Sequence, residues 1–153
     1  PEECKKICFF SIMHDVGKIH ISDSILKKPG LLSAEEWTVM QTHTIIGEKI
    51  LSNRDFYRTA REIARSHHEH WDGSGYPDRL MANEIPLPAR IVTVADIFDA
   101  LSHKRVYKKA LSMEEIRSTM KNESGKIFDP KILDVFFDLK IQFPEEKPDG
   151  AQI

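Results

Sequence analysis

The sequence predicts an all-α domain. Apolar residues recur at helical spacing over most of its length, and two capping boxes, Ser33-Ala34-Glu35-Glu36 and Ser112-Met113-Glu114-Glu115, mark helix starts. No segment shows the alternation of a half-buried strand. At 153 residues, with 41% hydrophobic and 30% charged, the chain can bury the core of one soluble domain.

The elements follow in order. Residues 3–15 carry apolar Ile7, Cys8, Phe9, Ile12 and Met13 and break at Gly17. Cys4 and Cys8, four apart, share a helical face; two thiols make no disulfide framework and read as small core residues in a cytoplasmic protein. Residues 19–32 form a loop with a short helix, closed by Pro29-Gly30. The first capping box opens a helix to about Leu51, with Trp37, Met40, Ile46 and Ile50 in its buried stripe; a second runs from about Asp55 to Glu69 around Ile63 and Ala64.

Residues 70–87 hold too much proline and glycine for regular structure, and a long loop in a compact domain is usually functional. Pro88 suits a first helical position. The helix after it is apolar almost all round (Ile91, Val92, Val94, Ala95, Ile97, Phe98, Leu101), which predicts a central, buried position. The second capping box opens one more helix, and Asp129-Pro130 opens the last, to about Leu139. The domain is expected over residues 1–142, with 143–153, rich in Pro, Glu and Lys, as a flexible tail.

Net charge is −2, which excludes a broad basic field for DNA or RNA. No apolar run approaches the roughly 20 residues of a membrane span, and no signal peptide is visible. A chain beginning at Pro1 reads as a piece of a longer protein.

The chemistry concentrates in two stretches, His14-Asp15-Val16-Gly17-Lys18 and His67-His68-Glu69-His70-Trp71-Asp72-Gly73-Ser74-Gly75-Tyr76-Pro77. Asp96 stands within the apolar helix, where a carboxylate needs a cation or an arginine such as Arg90 or Arg105. Adjacent helical residues point about 100° apart, so His14 and Asp15 could converge on a metal pair; a carboxylate can bridge two cations and an imidazole serves one. Singly, a His-Asp pair at a helix end caps or faces water, an adjacent His pair lies on a surface, and His43 is an interior histidine. Together, four imidazoles and two carboxylates from four helices suit Fe or Mn, and no cysteine ligand argues for a thiolate zinc site. Gly17 ends its helix and lets Lys18 turn back to hold a phosphate as a point charge. Two such metals would lower the pKa of a bridging water, and the resulting hydroxide would attack phosphorus in line.

These stretches resemble the HD-GYP domain, a bacterial branch of the HD-domain phosphohydrolases that degrades cyclic di-GMP. Pro29-Gly30-x-Leu32, Trp37-x-x-Met40-x-x-His43, Ile85-Pro86-Leu87-x-Ala89-Arg90 and Ala95-Asp96-x-Phe98-Asp99-Ala100-Leu101 fit as well, so the likeness runs from about Ile7 to Leu139. It implies an HD-domain helical bundle with metal ligands at His14, Asp15, His43, His67, His68 and Asp96. It implies substrate contacts from Lys18, Arg105 and Lys108, and a loop or substrate role for Tyr76. Asp99, one turn after Asp96, would hydrogen-bond substrate or leaving group. The implied cofactor is a binuclear Fe or Mn centre. The implied reaction opens cyclic di-GMP to pGpG, with GMP as a further product in some members and a mixed GMP–AMP cyclic dinucleotide as substrate in others.

An upstream receiver or sensor domain is the implied partner. The family's first ligand-bearing helix is absent from this chain, so a third metal is not expected, and uncovered core surface could associate as a homodimer. Lys104 and Val106 depart from the common acid and proline. His20, His70 and His103 match no ligand position. Two alternatives stay open: a catalytically impaired cyclic-dinucleotide-binding or interaction module, and an HD-type phosphohydrolase for another nucleotide.

Overall fold

Both predicted capping boxes form. Ser33 Oγ accepts the Glu36 N–H while Glu36 accepts the Ser33 N–H at 2.7 Å, and Ser112 with Glu115 repeats the arrangement. They open two of eight α-helices in the computed structural model, which describes residues 2–103 and 111–139. These are α1 (Glu2–Ser11), α2 (Asp23–Leu26), α3 (Ala34–Gln41), α4 (His43–Ile50), α5 (Arg58–Ser66), α6 (Leu87–Ser102), α7 (Met113–Asn122) and α8 (Pro130–Asp138). Short 3-10 segments lie at Val16–His20, Asp55–Tyr57 and Ala82–Glu84. Among the described residues the only extended pairing is an isolated bridge, Ser124 with Phe128. The expected tail lies outside the described residues.

Two apolar clusters make the core, and α6 joins them. Its Val92 packs with Phe10, Leu51, Ala60, Ile63 and Ala64. Its Val94 and Phe98 pack with Ile116, Met120, Phe128 and Leu133 from the α7–α8 end. Residues two apart on a helix point to different sides, so one helix serves both clusters.

Four expectations need correction. First, α1 stops at Ser11 rather than near residue 15, because the Ser11 carbonyl accepts the His14 N–H and also faces His14 Nδ1, closing a turn. Second, the helix expected over 33–51 is divided at Thr42, whose hydroxyl donates back to the Val39 carbonyl at 2.6 Å and tightens the turn. Trp37 and Ile50, expected in its buried stripe, are 46% and 42% exposed. Third, Cys4 and Cys8 are exposed. Fourth, α6 is open on one side: with α1 it forms an apolar groove of about 280 Å³ between Cys4, Ile7, Cys8 and Ile91, Ala95.

Candidate metal centre

Three histidines are set by one local device. His14 Nδ1 donates to the Ser11 carbonyl at 2.7 Å, His43 Nδ1 to the Met40 carbonyl at 2.7 Å, and His67 Nδ1 to the Ile63 carbonyl at 3.0 Å. A carbonyl only accepts, so each Nδ1 carries a proton and, in the neutral ring, each Nε2 keeps a free lone pair. Metal-binding histidines are held in this way, with the far ring N–H fixed by a carbonyl or carboxylate.

The lone pairs converge on Asp15. Its Oδ1 lies 3.4 Å from His43 Nε2 and 3.8 Å from His67 Nε2; its Oδ2 lies 3.3 Å from His14 Nε2 and 2.5 Å from Lys18 Nζ. With His68, ligand atoms of Asp15, His43 and His67 all lie within 4.8 Å of one another. Asp15 Oδ1, His43 Nε2 and His67 Nε2 are buried and have no hydrogen-bond partner. Metal–ligand bonds of about 2.1 Å place two ligand atoms of one cation roughly 3–4 Å apart. The residues therefore fit a metal ion, and buried lone pairs left without donors are otherwise costly.

The local electrostatics keep Asp15, His43 and His68 free of protons. Burial raises the Asp15 carboxyl, but hydrogen bonds from His14 and Lys18 outweigh it and hold the group well below the usual carboxylate range. Burial lowers His43, and burial with the neighbouring imidazoles pushes His68 down to about 2. His14 is the exception: its hydrogen bond with Asp15 raises it and favours a second proton, on Nε2.

Close backbone packing holds the constellation. A Cβ at Gly17 would stand 1.9 Å from the His43 carbonyl oxygen, so glycine lets the Val16–His20 segment lie against α4; that close approach, rather than the predicted helix-ending role, is what the position requires. Thr93 Oγ1 reaches the His67 carbonyl at 2.8 Å from α6. The Tyr76 N–H donates to the His68 carbonyl, and the Tyr76 ring stacks on the His68 ring at 4.9 Å. A Cβ at Gly75 would stand 2.3 Å from the His70 nitrogen.

Glu69, 1% exposed, accepts the N–H groups of Asp78 and Leu80. Arg65 clamps the same loop through paired bonds to Asp78 at 2.7 and 2.8 Å and an ion pair with Glu48 of α4. The loop is further tied to the α7–α8 turn by Trp71 and Asp72 N–H bonds to Ile127 and Lys126. Sequence reasoning missed Thr93 and Arg65; neither stands in a recognisable motif.

The remaining candidates are distributed unevenly. Asp96 is not fully buried, as expected from its helix, but one-third exposed; its Oδ1 lies 3.8 Å from His14 Nε2. Arg90, the alternative partner for Asp96, instead pairs with Asp129 at 2.8 Å. Asp99 is exposed and pairs with His103, and both aspartates border a shallow groove with His14. His70 bonds Ser74, and His20 is exposed. Arg105 and Lys108 lie outside the described residues.

A family model described as an HD domain matches residues 2–132. The chain belongs to the HD-domain family. It is 48% identical over 130 residues to a 3'3'-cGAMP-specific phosphodiesterase of Vibrio cholerae, covering 84% of this chain and 25% of that protein. It is 45% identical over 137 residues to a cyclic di-GMP phosphodiesterase of Thermotoga maritima, covering 88% and 37%. A cyclic di-GMP phosphodiesterase response regulator of Xanthomonas campestris is 46% identical over 135 residues, covering 87% and 36%. The chain thus spans between a quarter and just over a third of these relatives.

A crystal structure of a cyclic GMP-AMP phosphodiesterase from V. cholerae superposes with a TM-score of 0.66 at 23% identity, covering 90% of this chain and 38% of that one, and shows the same fold. HD-domain phosphohydrolases are metal-dependent, in keeping with the His/Asp cluster. Among the described residues no helix is long and apolar enough to cross a membrane.

Proposed function

We propose that this chain is the metal-dependent catalytic domain of a cytoplasmic signalling phosphodiesterase that hydrolyses cyclic di-GMP to pGpG. The observation that carries the reading is the convergence of three buried, unpartnered lone-pair atoms beside a lysine. His14, Asp15, His43, His67, His68 and Asp96 would hold a binuclear Fe or Mn centre, whose imidazole and carboxylate donors suit those metals. Bound cations would supply Lewis acidity and lower the pKa of water.

The chain's own groups do the rest. The Nδ1 bonds keep three imidazoles in the tautomer that leaves Nε2 free. Lys18, about one-third exposed on Asp15, presents an ammonium to a phosphate at the open side of the cluster. Asp99, on the groove beside His14, would accept a hydrogen bond from substrate. Arg105 and Lys108 are the further substrate contacts of this reading, and an upstream receiver or sensor domain its regulator.

The similarity to a 3'3'-cGAMP-specific enzyme supports a second reading of the substrate, the mixed GMP–AMP cyclic dinucleotide. One experiment tests both. The chain is loaded anaerobically with Fe(II) or Mn(II), incubated with each dinucleotide, and the products are separated by chromatography. Linear product from cyclic di-GMP alone supports the first reading, and from the mixed dinucleotide alone the second. No product from either defeats both.

A further inference from the structure

Tyr76 stacks on His68 and also walls a second space. Between α3 and the 73–79 loop lies a cavity of about 480 Å³, within the usual range of small-molecule sites. Its walls include Thr38, Gln41, Thr42, Tyr76 and Arg79. None of the metal-cluster histidines lines it.

Arg79 is unusual there. Its φ is +57°, a left-handed conformation that residues other than glycine avoid. Glu69 imposes it by accepting the N–H groups on either side, at 2.7 Å from Asp78 and 3.1 Å from Leu80. The Arg79 guanidinium has no partner among the described residues, so the bend serves no ion pair within them. Strained backbone held by its surroundings is a common mark of a ligand clamp.

The wall formed by α3 and its end has the complementary polarity. The hydroxyls of Thr38 and Thr42 donate to the Ala34 and Val39 carbonyls at 2.9 and 2.6 Å, which leaves their oxygens to accept. The Gln41 side-chain amide has no partner among the described residues and offers another acceptor. The cavity therefore draws donors from its loop wall, acceptors from its helical wall, and an aromatic ring from Tyr76. Guanine presents O6 and N7 as acceptors next to N1–H and amino donors; adenine puts a donor where O6 would be.

We propose that this cavity is a base subsite for a guanine of the cyclic dinucleotide, with Arg79 donating to O6 and N7. Thr38, Gln41 and Thr42 accept from the N1–H and amino group. The proposal rests on the phosphodiesterase reading above and adds base specificity to it.

The test compares kcat/KM for cyclic di-GMP and cyclic di-AMP in the Mn(II)-loaded chain and its Arg79→Gly variant. Glycine accommodates a φ of +57°, so the turn is kept while the guanidinium is lost. The variant should lose its preference for cyclic di-GMP by roughly ten- to hundred-fold, chiefly through KM. Gln41→Leu, on the helical wall, should lower the same ratio, and it decides the matter if the loop variant loses its metal. An unchanged ratio overturns the subsite. So do equal losses on both dinucleotides, which would make Arg79 a phosphate contact. Wild-type protein that cleaves neither of these defeats the cyclic di-GMP reading and the subsite with it; a parallel incubation with the mixed GMP–AMP dinucleotide tells that outcome from failure of the phosphodiesterase reading itself.

Discussion

The carboxylates of Asp129 and Asp15 are both set among packed helices, yet they are finished differently. Asp129, 5% exposed on its side chain, receives Arg90 at 2.8 Å on one oxygen and the Lys131 N–H at 2.9 Å on the other, capping α8. Asp15 receives Lys18 on Oδ2, but around its other oxygen the protein supplies acceptors without donors: Asp15 Oδ1, His43 Nε2 and His67 Nε2 face one another unpaired. A carboxylate with its hydrogen bonds made contributes to the fold. A set of aimed, unpaired lone pairs costs stability until something positive binds. The difference separates a structural charge from a candidate site more sharply than burial does.

The largest effect expected from this contrast belongs to Asp15→Ala. It should abolish measurable metal content and lower activity more than about 100-fold, beyond the usual loss from second-shell changes. Its helical circular dichroism should match wild type. Metal at 100 times its Kd should also stabilise wild type by about 2.7 kcal/mol and leave this variant unmoved. Full activity in Asp15→Ala would remove it from the site.

Asp129→Ala should do the reverse. Breaking a buried pair costs about 3–5 kcal/mol, read as a lower urea midpoint, while metal content at permissive temperature stays near wild type. Loss of metal without loss of stability would reverse the two assignments.

Gly17→Ala joins the two classes, because a Cβ there meets the His43 carbonyl at 1.9 Å. About 1–3 kcal/mol of destabilisation should come with weaker metal binding, since α4 must move away from Asp15. Thr93→Val, which removes the bond to the His67 carbonyl, should cost about 1 kcal/mol in urea unfolding and loosen metal binding less than Gly17→Ala does. The smallest change is a gain. Ala82, at a φ of +50°, should stabilise the protein by about 0.5–1 kcal/mol when replaced by glycine, seen as a higher melting temperature with unchanged metal content.

Much of the fold was legible because its signals are local. A capping box needs only Ser33 and Glu36, or Ser112 and Glu115, and Asp129-Pro130 needs only itself. The signature residues likewise pointed to a metal-binding phosphohydrolase of the HD-domain family, which the family match bears out. The errors lie where a neighbour decides. Cys4, Cys8 and Trp37 have core-like side chains, but the two cysteines line an open groove beside α6 and Trp37, edge-on to Tyr76, stays 46% exposed. Asp96 sits on an apolar helix yet is one-third exposed, because that side of α6 borders a groove.

By itself the sequence determined that the chain is helical, where its capped helices begin, and which residue types are available to a metal. Capping and helical periodicity act within a few residues, so they survive in the linear text. Only the tertiary structure decided that Nε2 rather than Nδ1 faces the cluster on His14, His43 and His67, and that Gly17 is needed for close approach. It alone assigned Arg90 to Asp129 and turned Arg79 toward the second cavity. Those outcomes depend on distances between residues far apart in the chain, and packing sets such distances.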